Sequence, residues 1–284
     1  MDDFTFIVLS YNQEAWIEEH LNSIKSIVTT YADGRNVDLI VADDCSKDNT
    51  IQICQKWLDS NCGIFRTIKV LRRVENLGTV HNILEAIDNV ATKNFKFLAA
   101  DDTYILFDIF SLTEKFKDII YISHVNIIGA HNPKRDRDFE IKFRVLEYMC
   151  KKNKVDTLIA IDNYIAAPGV FVPGYMFKDP EFVEFMMPYK YIEDYPMWIY
   201  LIVKKKYKVF VEDEKLINYR VGSGMSSTKT SPTRVLFLQE VDRMHKNLGA
   251  KAYLGCKYFN VHKYYLKLLR VINSRRVEKK STTM

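Results

Sequence analysis

Apolar residues fall along this chain in two alternating patterns. Residues 4–9 form a continuous apolar-rich run, and over 13–30 apolar side chains recur at helical spacing, at Ile17, Leu21, Ile24 and Val28. The first pattern predicts a buried strand and the second an amphipathic helix. The alternation repeats: a strand over 37–42, a helix opened by Asp48-Asn49-Thr50 and continued over 51–58, a strand over 68–71, a helix from about 80 to 90, and a strand over 95–100. Such a series predicts crossover units around a mostly parallel sheet. Beyond residue 105 the pattern blurs. A helix running into a strand is expected over 111–122, a further strand over 125–128, a charged surface loop over 131–142 and a helix end over 147–154. Residues 162–177, apolar but punctuated by Pro and Gly, predict a loop feeding a buried strand. An apolar helix follows over 197–203, then a last strand over 208–212. The run 216–221 leads into Gly222-Ser223-Gly224-Met225-Ser226-Ser227-Thr228, flexible by composition. From Pro232 helical patterning returns, first through Val235, Leu236, Leu238, Val241 and Met244, then through an aromatic-rich region over 253–272.

Composition narrows the class. A chain of 284 residues, 48% hydrophobic and 27% charged, suits a soluble globular protein of one large domain with or without an appendage. Met1-Asp2-Asp3 is acidic where a signal peptide would be basic. The best apolar run, 196–203, is less than half the roughly 20 residues of a membrane helix. Cys45, Cys54, Cys62, Cys150 and Cys256 form no CxxC pair, and no HxxxH or HExxH occurs, so reduced thiols in a cytoplasm are expected, with no zinc site. The net charge of +5 changes meaning once located. Residues 251–284 carry nine Lys/Arg against Glu278, which leaves −3 on residues 1–250. A nucleic-acid-binding domain is thereby disfavoured.

Candidate chemistry lies at the strand ends. Open parallel sheets bind ligands outside the carboxyl ends of their strands. Three such ends carry Ser10-Tyr11-Asn12, Asp43-Asp44 and Asp101-Asp102. Adjacent carboxylates repel, and strand packing does not require them. They suit a divalent cation that bridges to substrate phosphates. Alternatively, Asp101 begins a turn and Asp102 caps a following helix. A second acid pair, Glu193-Asp194, sits among Tyr191, Tyr195 and Trp198 before the apolar helix. Asp194 also suits a helix cap there, with Pro196 in the first turn.

Taken in order, Ser10-Tyr11-Asn12, Asp43-Asp44-Cys45-Ser46-Lys47-Asp48-Asn49-Thr50, Asn76-Leu77-Gly78 with Asn82, and Asp101-Asp102 resemble the family-2 glycosyltransferases. This is a large inverting group with a nucleotide-binding fold of the GT-A type, and the resemblance covers about the first 105 residues. It implies an α/β, Rossmann-like GT-A fold: a mostly parallel central sheet flanked by helices, with a helical C-terminal extension. Residues 1–105 would form the nucleotide-sugar-binding half, 106–230 the acceptor-binding half and 231–284 the basic extension. The resemblance also implies Mn²⁺ or Mg²⁺ at Asp102 and contact of Asp101 with the donor ribose or sugar. Tyr11 would stack on the base, Asp44 would take the imide hydrogen of a uracil, and Asn76 would serve the donor; Arg220, basic and at the start of the Gly/Ser/Thr-rich segment, suits a lid over the donor diphosphate. Asp194 would be the catalytic base, with Glu193 orienting its loop. Trp198 would stack on an acceptor sugar or belong to the core.

Many relatives carry a His two residues beyond a Tyr-Arg pair; here Tyr219-Arg220 is followed at that distance by Gly222, so no metal ligand is expected from this loop. The Gln-x-x-Arg-Trp element of processive synthases is absent, which implies one sugar per encounter. The economical acceptor is a saccharide, polyprenyl-diphosphate-linked, in bacterial O-antigen or capsule synthesis. The protein would then be cytoplasmic and peripheral on the inner membrane face, its basic aromatic tail meeting an anionic surface. The same tail equally suits an amphipathic helix packed on the domain, or a homodimer. Two other readings stay open. A sugar-nucleotide pyrophosphorylase would show a Gly-rich basic loop after the first strand, and Ser10-Tyr11-Asn12-Gln13-Glu14 has neither feature. A non-catalytic nucleotide-sugar-binding protein would be favoured by loss of an acid, yet Asp44, Asp102 and Asp194 are all present.

Overall fold

Burial on both faces is what makes the first strands read as unbroken apolar runs. In the computed structural model, which describes residues 2–130, 132–222 and 232–247, β1 (Phe4–Ser10), β2 (Val37–Asp43), β3 (Thr67–Arg72) and β4 (Asn94–Ala99) form one parallel sheet. The crossovers are α1 (Ile17–Tyr31), α2 (Thr50–Asn61) and α3 (Thr79–Asp88). Phe4, Phe6 and Val8 of β1 pack with Leu21 and Ile24 of α1 and Trp57 of α2. Ile7 and Leu9 face the other way, toward Val80, Ile83 and Ala86 of α3. The strand order is β3-β2-β1-β4, so the chain steps outward from β1 and then returns to its other side. That reversal opens a crevice at the carboxyl ends of β1 and β4, the place where sheets of this kind hold ligands.

The remaining strands make a second, mixed sheet of order β5-β8-β6-β7. In chain order the elements are β5 (Thr103–Tyr104), α4 (Ile109–Lys115), β6 (Ile120–Gly129), α5 (Pro133–Lys151), α6 (Val155–Ile159), β7 (Val170–Phe171) and α7 (Pro180–Met186). Next come α8 (Asp194–Trp198), a π-helical turn (Ile199–Lys204), β8 (Val209–Val221) and α9 (Pro232–Asn247). β6 and β8 run parallel; β5 and β7 are antiparallel to their neighbours. Phe6 joins the sheets: it is fully buried and meets the rings of Tyr104 and Phe110 edge-on at 5.5 and 6.4 Å. Burial of one such side chain contributes roughly 1.5–3 kcal/mol.

Several expectations need correction. The charged stretch expected as a loop over 131–142 is mostly helix, because α5 begins at Pro133. Asn132 caps it, accepting from the amides of Lys134 and Arg135 at 3.2 Å. Charge pairs one turn apart, Glu140–Arg144 at 2.7 Å and Glu147–Lys151 at 2.8 Å, support it. Its buried face is thin (Phe143, Val145 and Leu146), which leaves little apolar periodicity to read. The pieces expected over 208–212 and 216–221 belong to one strand, β8, and the register against β6 shifts opposite the charged interruption between Glu212 and Lys215. Asp102 is followed by β5 and caps no helix; that role falls to Asp108, which accepts from Phe110 and Ser111 at the start of α4.

Among the described residues no helix is long and apolar enough to cross a membrane, and Cys45, Cys54, Cys62 and Cys150 are free thiols. The expectations for the Gly/Ser/Thr-rich segment over 223–231, for the second helical region and for the basic end lie outside the described residues.

Candidate active site

The turn after β1 and the turn after β2 are stitched into one unit. Ser10 Oγ donates to Asp43 Oδ1 at 3.0 Å, and the Ser46 amide donates to Asp43 Oδ2 at 2.9 Å. The Asn12 amide reaches Ser46 Oγ at 2.8 Å, the Lys47 amide reaches Asn12 Oδ1 at 2.8 Å, and the Gln13 amide reaches Thr50 Oγ1 at 2.7 Å. Much of the Ser-Tyr-Asn and Asp-Asp-Cys-Ser-Lys-Asp-Asn-Thr pattern is therefore mutual bonding that shapes the crevice rim. Tyr11 stands exposed on that rim. Asp44 is buried and holds the next loop: its two oxygens accept from the amides of Leu77 and Gly78 at 2.9 and 2.8 Å. Gly78 has φ +91°, and a Cβ there would sit 2.6 Å from the Lys190 carbonyl, so only glycine lets the loop approach this closely. Asn76 is exposed beside it. Asn82 is buried and donates to the Ala42 carbonyl at 2.9 Å, bracing the end of β2.

At the end of β4 the register does the assembling. Thr103 pairs with Asn218 in the antiparallel β5–β8 ladder; continued by two residues, that register sets Arg220 opposite Asp101. The Arg220 amide donates to Asp102 Oδ1 at 2.8 Å, and Arg220 Nε donates to the Asp101 carbonyl at 2.9 Å. The guanidinium lies 3.8 Å over the Trp16 ring and meets Glu19 at 2.7 Å. Arg220 thus belongs to β8 and is clamped on the acid pair. His20 of α1 fixes the same corner, donating from Nδ1 to the Asp102 carbonyl at 2.7 Å, and burial pushes it down to about 4. Asp102 is pushed up to about 8, first by burial and then by the charge of Asp101. Lys96, buried in β4, is pushed down to about 7 by burial, against the pull of Asp102.

The second acid pair opens α8. Asp194 is the first residue of that helix and does not cap it: the cap position is Glu193, with no side-chain cap bond, and Asp194 Oδ1 accepts from the neighbouring Tyr195 amide at 2.6 Å. Its Oδ2 accepts from Asn163 Nδ2 at 2.7 Å. Asn163 is held in turn: its carbonyl accepts from Lys142 Nζ at 2.6 Å, and its Oδ1 accepts from the Ile165 amide at 3.1 Å. Burial raises both acids, and Glu193, further raised by the charge of Asp194, reaches about 8. Trp198 is in the core with 1% of its surface exposed, which leaves its ring no face for an acceptor sugar.

Tyr219 precedes Arg220 in β8. Its hydroxyl is raised by burial and then by four carboxylates, Asp102, Asp194, Asp101 and Glu193. The sequence alone assigns no role to Tyr219, Lys142, Trp16, Glu19 or His20; Asn163 falls in the 162–177 stretch, which by the resemblance lines the acceptor side. For Tyr219 the Tyr-Arg pair was a signal; for the others the placement is tertiary.

Asp101 and Asp102 fit a hard divalent cation. Their oxygens are the donor type such ions take, and a cation there would favour the ionised form of Asp102 that burial and the charge of Asp101 disfavour. Among the described residues no group of three or more His, Cys, Asp or Glu is placed to hold a metal ion.

A family model described as Glycosyl transferase family 2 matches residues 5–160. Asp194 and Arg220 lie beyond that match. The dTDP-rhamnosyl transferase RfbG of Shigella flexneri is 30% identical over 95 residues, 33% of this chain and 30% of that protein. An uncharacterized glycosyltransferase of Rickettsia typhi is 24% identical over 247 residues, 84% of this chain and 69% of the other. Among solved structures, S. aureus TarS 1-349 in complex with UDP-GlcNAc aligns at a TM-score of 0.54 and 20% identity, covering 81% of this chain and 62% of that one. The mannosyltransferase PcManGT of Pyrobaculum calidifontis, in complex with GDP-Man and Mn²⁺, aligns at 0.51 and 14% identity, covering 79% and 60%. These likenesses are to a GT-A fold, and the chain spans about 60% of the length of both structures.

Proposed function

The chain belongs to glycosyltransferase family 2, and on that premise we propose that it moves one sugar from a nucleotide-sugar, a UDP-sugar as first choice, to a hydroxyl of a saccharide acceptor, with inversion. The observation that carries this reading is the pair Asp101-Asp102 just after the carboxyl end of β4, beside the strand-order reversal of the parallel sheet, with Arg220 bonded to both residues. A displacement at a sugar carbon needs charge neutralised at the leaving diphosphate and a proton removed from the attacking hydroxyl. One acid pair suits each need. A bound Mn²⁺ or Mg²⁺ would supply Lewis-acid neutralisation, held by Asp102 with Asp101 toward the donor ribose or sugar.

The placements support the other roles. Tyr11 offers an exposed ring to the base. Asp44 keeps lone pairs beyond its two amide bonds, enough to accept an imide hydrogen from uracil or thymine. Asn76 stands at the same loop. Arg220 places positive charge against the acid pair, where a diphosphate would arrive. Asp194 accepts the proton of the acceptor hydroxyl. Glu193, pushed up to about 8 by burial and then by the charge of Asp194, would orient the loop that carries the base. The basic region over 251–284, with nine Lys/Arg against one acid, supports an anionic membrane surface and a lipid-linked acceptor, such as a polyprenyl-diphosphate-linked saccharide.

Asn163 provides a prediction about pH. Its amide donates to the ionised form of Asp194, so Asn163→Ala removes a bond that favours ionisation. The acid limb of kcat should therefore move to higher pH, by about one unit. An unmoved limb in a rate–pH profile would count against Asp194 as the base.

The function itself is tested by donor turnover across UDP-, GDP- and dTDP-sugars, with Mn²⁺ or EDTA, first alone and then with lipid-linked saccharide acceptors. Mn²⁺-dependent release of one nucleotide is expected. Intact donors throughout, with nucleotide binding retained, would favour a non-catalytic binding protein instead.

A further inference from the structure

Between α7 and α8 the chain runs through residues 187–193 without regular structure, yet this segment delivers Glu193-Asp194 to the site. Tyr189 and Ile192 are buried, so nearby backbone N–H groups have lost water and need acceptors. One side chain serves three of them. Glu240 of α9, itself 7% exposed, accepts from the Lys190 amide through Oε1 at 2.9 Å. Its Oε2 accepts from the amides of Tyr191 and Ile192 at 2.9 and 3.0 Å. Charge-assisted bonds of this kind are the strong ones, and three consecutive amides aimed at one carboxylate define its position.

α9 is seated independently of this contact. Met244 is buried in the core, and Arg243 donates to the Pro188 carbonyl at 3.2 Å. From the anchored segment a second contact runs toward the β2 end of the site. Lys190 lies against Gly78, and its Nζ reaches the Asn76 carbonyl at 3.4 Å. The loop at Gly78 is the one held by Asp44.

We infer that Glu240 is a positioning residue: from α9 it anchors residues 190–192 and thereby sets Glu193-Asp194 against the crevice and against the loop at 76–78. This rests on the reading of Asp194 as the base. It gives the C-terminal region a task within the reaction, apart from any membrane contact. Glu240→Gln keeps the size of the side chain but replaces one acceptor oxygen with an NH₂ that faces a backbone donor. The anchor should loosen while the core packing of α9 remains.

Two measurements on the full chain test the inference. In hydrogen exchange, the amides of Lys190, Tyr191 and Ile192 should lose protection at least about tenfold in Glu240→Gln, more than the amides of β1 or β2. In steady-state kinetics with the donor that the wild type turns over, kcat should fall about 10- to 100-fold with the donor KM within about twofold, because small misplacement of a base is expensive. Met244→Ala serves as the comparison, since it loosens the helix without touching the anchored amides. It should lower Tm and leave kcat within about twofold. Unchanged protection at the three amides in Glu240→Gln would overturn the anchor. Lost protection with unchanged kcat, or an equal fall of kcat in Met244→Ala, would overturn the positioning role. A wild type that turns over no donor would overturn the transferase reading, and the exchange data would still decide the anchor.

Discussion

Asp194→Asn is expected to lower kcat by about 10²- to 10⁴-fold while the donor KM stays nearly constant. The magnitude is that of a general base, and the selectivity follows from position. Asp194 is tied to Asn163 and to the opening of α8, whereas the residues proposed for the nucleobase and the metal sit at the ends of β1, β2 and β4. An asparagine oxygen can still accept from one of the same neighbours, so the local structure should hold and Tm should not fall sharply. Removing the Asp194 charge should also let Glu193 titrate lower, since that charge is the second cause of its rise after burial. Initial rates with saturating donor and acceptor, read beside a thermal melt, decide the matter. A variant that keeps kcat within tenfold of wild type would remove Asp194 from the role. If Glu193→Gln then abolished turnover, the base would be Glu193.

Asp102→Asn should separate activity from stability. Donor turnover with Mn²⁺ is expected to fall at least about 10²-fold, because the leaving diphosphate loses its charge compensation. Stability should move the other way. The folded-state titration of Asp102 lies near 8, above its ordinary 3.8. Between these values the unfolded chain ionises while the folded chain holds its proton, so the group's contribution to stability is lost as pH rises through that window. Asparagine has no proton to lose, and its oxygen can still accept from the Arg220 amide. At pH 8.5 and without metal, Asp102→Asn should therefore melt a few degrees above wild type, and the gap should close toward pH 4. Mn²⁺ with UDP should raise the Tm of the wild type and not of the variant. A variant less stable than wild type at pH 8.5, or one with an equal response to Mn²⁺, would show that Asp102 is not a strained cation ligand.

The parts of this site that could be read from the sequence are those with local causes. β1, β2 and β4 are buried on both faces and so appear as short apolar runs; where each run stops, a polar residue marks the rim. Ser10, Asp43 and Asp101 were legible for that reason, and their order along the chain carried the family resemblance. α5 failed the same test because only Phe143, Val145 and Leu146 of its residues are buried, and charge pairs support the rest. Trp198 could be core or ligand platform by sequence; its burial beside α6 and the π-helical turn decided for the core.

By itself the sequence determined a parallel α/β half with acids at its strand ends, and a second acid pair ahead of an apolar helix. Periodicity, turn chemistry and capping each act within a few residues, so each leaves a mark that a short window can hold. Tertiary structure alone decided which groups meet. The two-residue strand β5 pairs with a segment more than a hundred positions away, and that register lays Arg220 on Asp101-Asp102. Asn163 finds Asp194, and Glu240 returns from α9 to hold the amides ahead of the second pair. Those meetings depend on sheet register and helix docking, which are set by the packing of the whole core and leave no periodic trace in the residues they join.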